Sequence, residues 1–329
     1  MITPVCNICG NQNTKLHYRN YPGYVEGTSY GIFSCTNCST NFVKQDQLLS
    51  NIYDKIYSLD QVEGYEQYSE ILKHIRNESY PLKYLSKISS AYYAVYDYVK
   101  SKANLRILEV GCGYGYLSYA LNHSGFDATG LDISVEAITS AKENFGNKFV
   151  CDDFERYALE CNEKYDLIIA TEVIEHLAEP IGFVKNCLKV LTEDGKILLT
   201  TPSKDFFSYA AIWFTDLPPV HLFWFSQKSF KTIAKLLNVS VSFTSFRKFY
   251  PAKENRLIRY LRYRSEFIQK PVLNAEFKPL EGRKMIESRS RKLVKWFLFD
   301  FAPVRIICNF IYNHTLEKDM TLGVIISKN

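Results

Sequence analysis

Ile107-Leu108-Glu109-Val110-Gly111-Cys112-Gly113-Tyr114-Gly115 is an apolar run carrying one acid that ends in three glycines at alternate positions. The apolar run reads as a buried strand. Glycines without a Cβ let the chain turn tightly and let a ligand approach the backbone. Leu117, Ala120 and Leu121 follow at helical spacing, so the segment is a strand–loop–helix. It predicts the first βα unit of a doubly wound α/β sheet, with a ligand at the carboxyl end of the strand. Further strands are expected at Arg106–Val110, Ala128–Leu131, Lys148–Cys151, Asp166–Thr171 and Lys196–Thr201. Helical patterns alternate with them, as right-handed crossovers in a parallel sheet require.

The ligand is not a dinucleotide. That fingerprint is G-x-G-x-x-G, and the position its third glycine would take is Tyr116. Glu109, two residues before the first glycine, would repel a pyrophosphate but suits a cationic ligand. S-adenosylmethionine (SAM) carries a sulfonium and an ammonium. The E-x-G-x-G-x-G run at 109–115 resembles the first motif of the class I SAM-dependent methyltransferases, of the methyltransferase-23 type. The resemblance implies a mostly parallel, seven-stranded, Rossmann-like sheet. It gives Glu109, Gly111, Gly113 and Gly115 to the cofactor. Asp132, 17 residues after Gly115, would accept the ribose hydroxyls, with Ile133 beside it. An acid in Asp152-Asp153-Phe154 would meet the adenine amino group. Asp153 fits better than Asp152, and the Phe154 backbone would touch the ring.

Glu172-Val173-Ile174-Glu175-His176 follows the fourth strand. If helical, residues 172, 175 and 176 share one face. With the distant His221 they resemble the E-x-x-E-H plus His set of metal-dependent O-methyltransferases, where a divalent ion such as Mg²⁺ would orient a hydroxyl. The alternative is that Glu172 and His176 merely line the pocket, with His176 or His221 as general base.

Cys6-x-x-Cys9 and Cys35-x-x-Cys38 put two knuckles 25 residues apart. Four soft sulfurs at this spacing predict a structural zinc ribbon. The other five cysteines, Cys112, Cys151, Cys161, Cys187 and Cys308, read as small core residues. Met1–Gly10 lacks the apolar stretch of an export signal, which predicts reduced thiols and a cytoplasmic location. The longest apolar stretch, Trp296–Tyr312, is broken by Asp300, Pro303, Arg305 and Asn309, which argues against a membrane span.

The expected organisation is a zinc ribbon at 1–45, a helical bridge or lid at 46–104, a SAM-binding core at 105–250, a basic helical insertion at 251–315 and a last strand in 316–329. The net charge is +5, and residues 245–300 hold 15 Lys/Arg against 6 Asp/Glu, a local +9 that leaves −4 (+5 less +9) elsewhere. This points to an anionic partner: a phosphate-bearing substrate, a membrane surface touched by 251–312, or nucleic acid. Few basic residues lie in the ribbon, the expected RNA reader (Lys15, Arg19 and Lys44), which disfavours RNA. The whole resembles bacterial methyltransferases of sugar and polysaccharide pathways. It implies O-methylation of a sugar hydroxyl in a nucleotide sugar, glycolipid or surface polysaccharide. An RNA methyltransferase, a C- or O-methyltransferase of another small molecule and a non-catalytic SAM-fold partner are the competing expectations.

Overall fold

The computed structural model describes residues 4–44, 66–206, 217–249, 271–280 and 319–329, with positions 303, 306 and 307. Near the N-terminus, β1 (Thr14–Pro22), β2 (Ser29–Cys35) and β3 (Asn41–Val43) form an antiparallel meander. Helices α1 (Glu66–Ile75), α2 (Pro81–Ile88) and α3 (Ser90–Val99) lead to the core. Pro81 opens α2, where its missing N–H costs nothing, and the Ser89 side chain accepts from Ala91 N at the start of α3.

The core alternates β4 (Arg106–Val110), α4 (Tyr116–His123), β5 (Asp127–Asp132), α5 (Val135–Phe145), β6 (Phe149–Cys151), α6 (Phe154–Glu160) and β7 (Tyr165–Thr171). After a short 3-10 turn (Ile174–His176) come α7 (Pro180–Val190), β8 (Leu191–Pro202), β9 (Phe223–Trp224), α8 (Gln227–Leu237), β10 (Val239–Phe243) and β11 (Thr321–Lys328). The large sheet has seven strands in the order β10-β11-β8-β7-β4-β5-β6. Strands β4 to β8 run parallel, while β11 is antiparallel to both its neighbours. This is the doubly wound, mostly parallel α/β sheet that the glycine run predicts.

Alternation along the strands fills both faces. Leu108, Ile168, Ala170, Ile197 and Leu199 point to the side of α6, α7 and α8. Ile107, Leu167, Ile169 and Leu198 point to the other. There they meet Ile71, Leu82, Leu85, Ala94, Val95 and Val99. The described part of the expected bridge therefore packs as a layer on one sheet face. Each buried Val, Leu or Ile among them contributes about 1.5–3 kcal/mol. Most of the basic insertion and of the proposed membrane-contact segment, together with Cys308, lies outside the described residues. Among the described residues no helix is long and apolar enough to cross a membrane.

Candidate functional site

The chain leaves β4 towards β5 and β6 on one side, and later returns to β7 and β8 on the other. The loops after β4 and β7 thus diverge above neighbouring strands, at the switch point where doubly wound sheets bind ligands. The first is the glycine loop and the second is Glu172–His176.

Gly111, Gly113 and Gly115 all have left-handed backbones, at φ 73°, 50° and 79°. A Cβ on Gly111 would lie 2.5 Å from Val173 Cγ2, and one on Gly115 would lie 2.4 Å from Phe149 Cε1. Gly113 differs, because a Cβ there meets nothing within 4 Å. Open space above a backbone held at positive φ is room for a ligand. Asp132 locks this loop: Gly113 N donates to its Oδ2 at 2.8 Å and Ser134 N to its Oδ1 at 2.9 Å. Each carboxylate oxygen has a second lone pair, so the side chain can still accept from a ligand. Burial pushes its carboxyl up, against the pull of those backbone N–H groups. Ile133, next along, is 69% exposed and offers an apolar surface at the loop mouth.

Glu109 lies beneath the loop, 2% exposed, where Ser118 Oγ donates to its Oε2 at 2.6 Å. Burial pushes it up to about 8. Asp153 is exposed and caps α6, its Oδ1 accepting from Glu155 N at 2.9 Å and Arg156 N at 3.2 Å. Asp152 takes Arg156 Nε at 2.6 Å. Phe154 packs its ring against Phe183 at 5.1 Å. Both acids thus have partners within their own helix turn.

The second loop brings Glu175, His176 and His221 together, with one ligand atom of each within 4.8 Å of the others. The imidazoles stand edge to face at 4.4 Å. His176 Nδ1 meets the Val220 carbonyl at 2.7 Å; a carbonyl only accepts, so this nitrogen carries the proton. Burial holds His176 below its ordinary range against the Val220 and Glu172 carbonyls. It lowers His221 well below, with His176 adding to the effect. Both rings are therefore neutral at pH 7.

Glu172 does not join the cluster. The segment is not an α-helix: its single 3-10 turn begins at Ile174, and Glu172 has a left-handed φ of 55°. The shared face expected of residues 172, 175 and 176 does not form. Glu172 is exposed as a residue, yet desolvation pushes its carboxyl up to about 7, with neighbouring Thr200 acting the other way. The remaining donors are two imidazoles and one carboxylate. Magnesium prefers an oxygen shell, whereas this mixture suits a borderline transition metal.

Residues 84–241 match the family described as a methyltransferase domain. Over these residues, just under half of the chain, the sequence is similar to the methyltransferases of that family. A ubiquinone biosynthesis O-methyltransferase of Actinobacillus pleuropneumoniae is 29% identical over 129 residues, 35% of this chain and 55% of the relative. That of Aliivibrio fischeri is 31% identical over 122 residues, covering 34% and 52%. The chain thus spans about half the length of the curated relatives it matches. A SAM-dependent methyltransferase from Archaeoglobus fulgidus superposes with a TM-score of 0.47 at 17% identity, over 79% of this chain and 99% of that one.

A cysteine cluster adjoins the methyltransferase domain. Cys6, Cys9, Cys35 and Cys38 converge, with Cys6 Sγ 3.6 Å from Cys38 Sγ and Cys9 Sγ 3.6 Å from Cys35 Sγ. A disulfide needs about 2.05 Å. A tetrahedral zinc with bonds of about 2.3 Å separates its sulfurs by about 3.8 Å, so this spacing fits such an ion. Elsewhere Cys112 and Cys187 are buried, as small core residues should be, but Cys151 is exposed. It is the last residue of β6, at the strand's carboxyl end.

Sequence reasoning missed Ser118, Thr200, Val173 and Lys204. Ser118 was legible as a lone hydroxyl on the inward face of α4. Lys204 was not, because nothing local marks it. Its ammonium donates to the Ser39 carbonyl next to Cys38, and burial lowers it to about 8 against nearby Asp205, Cys38 and Cys35.

Proposed function

We propose that the chain transfers the methyl group of SAM to an oxygen, most simply a sugar hydroxyl of an anionic nucleotide sugar or glycan. One observation carries this reading. Val173, at the start of the histidine-bearing turn, lies against Gly111 of the glycine loop, so the turn that carries His176 adjoins that loop. Bound SAM supplies an already activated methyl, leaving alignment and deprotonation to the protein. Gly113 and Asp132 would hold the donor, and Ile133 would cover its flat ring. The neutral His176–His221 pair is the proton acceptor for the attacking hydroxyl, a role typically contributing about 10²–10⁴-fold.

Oxygen as acceptor is supported by the names of the curated relatives, which are O-methyltransferases of ubiquinone biosynthesis. Sugar is favoured by the charge at 245–300, which suits a phosphate-bearing acceptor, and by the scarcity of lysine and arginine around the cysteines. The four cysteines would hold a structural zinc ion, whose closed sphere leaves no site for catalysis.

The test is methyl-labelled SAM incubated with nucleotide sugars, lipid-linked glycans, quinone precursors and total RNA. Label is expected in the sugar fractions. Label in quinone precursors would keep the oxygen chemistry and discard the nucleotide sugar or glycan; label in RNA would discard that acceptor too, and label on the bases rather than the ribose 2′-oxygen would discard the oxygen chemistry as well.

A further inference from the structure

The cysteine cluster and the histidine pair lie at two ends of one hydrogen-bonded path. β3 pairs with β9, placing Asn41 opposite Trp224 and Phe42 opposite Phe223. Val43 N donates to the Leu222 carbonyl at 3.0 Å, and Leu222 N donates to the Glu175 carbonyl at 2.9 Å. Leu222, the residue after His221, is therefore tied by its carbonyl to the cysteine module and by its N–H to the acid of the site. Two further links pin the exit of the second knuckle. Thr40 Oγ1 donates to Ser229 Oγ at 2.8 Å, and Ser229 Oγ donates to the Cys38 carbonyl at 3.3 Å. Lys204 donates from its side chain to the Ser39 carbonyl and from its backbone to Phe225 at 2.9 Å. Cys35, Cys38 and Phe42 share one core with Phe223, Phe225 and Phe230.

We infer that the four-cysteine module is a positioning element of the histidine site: its folded knuckles fix Leu222 and, through it, His221 and Glu175. This rests on reading the cysteines as a metal site and the histidines as the acceptor site. Loss of the knuckle geometry moves β3 and strips the Leu222 carbonyl of its partner, which a buried backbone group does not tolerate. Four thiolates around a dication leave a net charge of −2, and the Lys204 ammonium offsets part of it. Lys204 and Thr40 are thus two side-chain links between the core and the module, beside the backbone pairing of β3 with β9.

Hydrogen exchange on the full-length chain tests this, before and after zinc removal by a chelator. The Val43 and Leu222 amides should exchange at least tenfold faster after removal. The Gly113 amide, bonded to Asp132, and the affinity for SAM should stay within twofold. Faster exchange confined to residues 4–40, with Leu222 unchanged, would overturn the coupling. If the protein carries no metal, the zinc reading fails by itself and the variants decide. Lys204→Met and Thr40→Val should each speed Leu222 exchange, while Thr40→Ser should restore it. Leu222 protection at the wild-type level in both variants contradicts the inference. Unchanged SAM binding shows that they have folded.

Discussion

Val173 Cγ2 occupies the space into which a side chain on Gly111 would point, 2.5 Å from the position of its Cβ. The glycine loop and the histidine-bearing turn are therefore packed against each other, and a change in one is felt in the other.

Gly111→Ala should cost about 2–4 kcal/mol, combining a left-handed backbone with overpacking. Gly113→Ala meets open space and should cost about 1 kcal/mol, yet both should weaken SAM binding at least tenfold. Thermal unfolding and calorimetry on the two variants check this. Equal destabilisation would mean that the Val173 contact does not constrain the loop.

The glycine loop and the parallel strands were legible because each depends on local chemistry. A positive φ calls for glycine, and a strand buried on both faces is apolar throughout. The histidine site was only half legible. His176 and His221 could be picked out as residues, but a 3-10 turn with a left-handed Glu172 replaces the helix that spacing suggested, and backbone packing decides that. β9 is two residues long, too short to show any period, so the docking of the cysteine module left no trace. The amphipathic pattern of α2 and α3 said that a face is buried but not against which partner.

Glu109 makes stability depend on pH. Burial raises its folded pKa from 4.5 to about 8, so the native state favours the neutral acid. Its contribution is complete below pH 4.5 and is lost as pH rises to about 8. Glu109→Gln should match wild type in acid and exceed it at pH 8.5 by about 3–5 kcal/mol. Denaturant melts from pH 4.5 to 9 read this out, and a gap independent of pH would show that Glu109 is not the group responsible.

His176→Ala and His221→Ala should each lower kcat by about 100-fold or more with SAM affinity intact. Brief chelation that spares the cysteine-bound metal should leave turnover unchanged. Loss of turnover, restored by Mn²⁺ better than by Mg²⁺, would instead assign Glu175, His176 and His221 to an ion.

Cys35→Ser should abolish the binding of about one zinc per chain and unfold the meander of β1 to β3. Metal analysis with circular dichroism is sufficient, and a metal-free but fully folded wild type would remove the zinc site.

The most direct test of the account is a calorimetric titration with SAM of the wild-type chain and of Asp132→Ala. Saturable binding of one SAM per chain is expected, weakened about 100-fold or more in the variant, since each charge-assisted hydrogen bond lost contributes about 1.5–3 kcal/mol. No binding by the folded wild type, or undiminished binding by the variant, would contradict it.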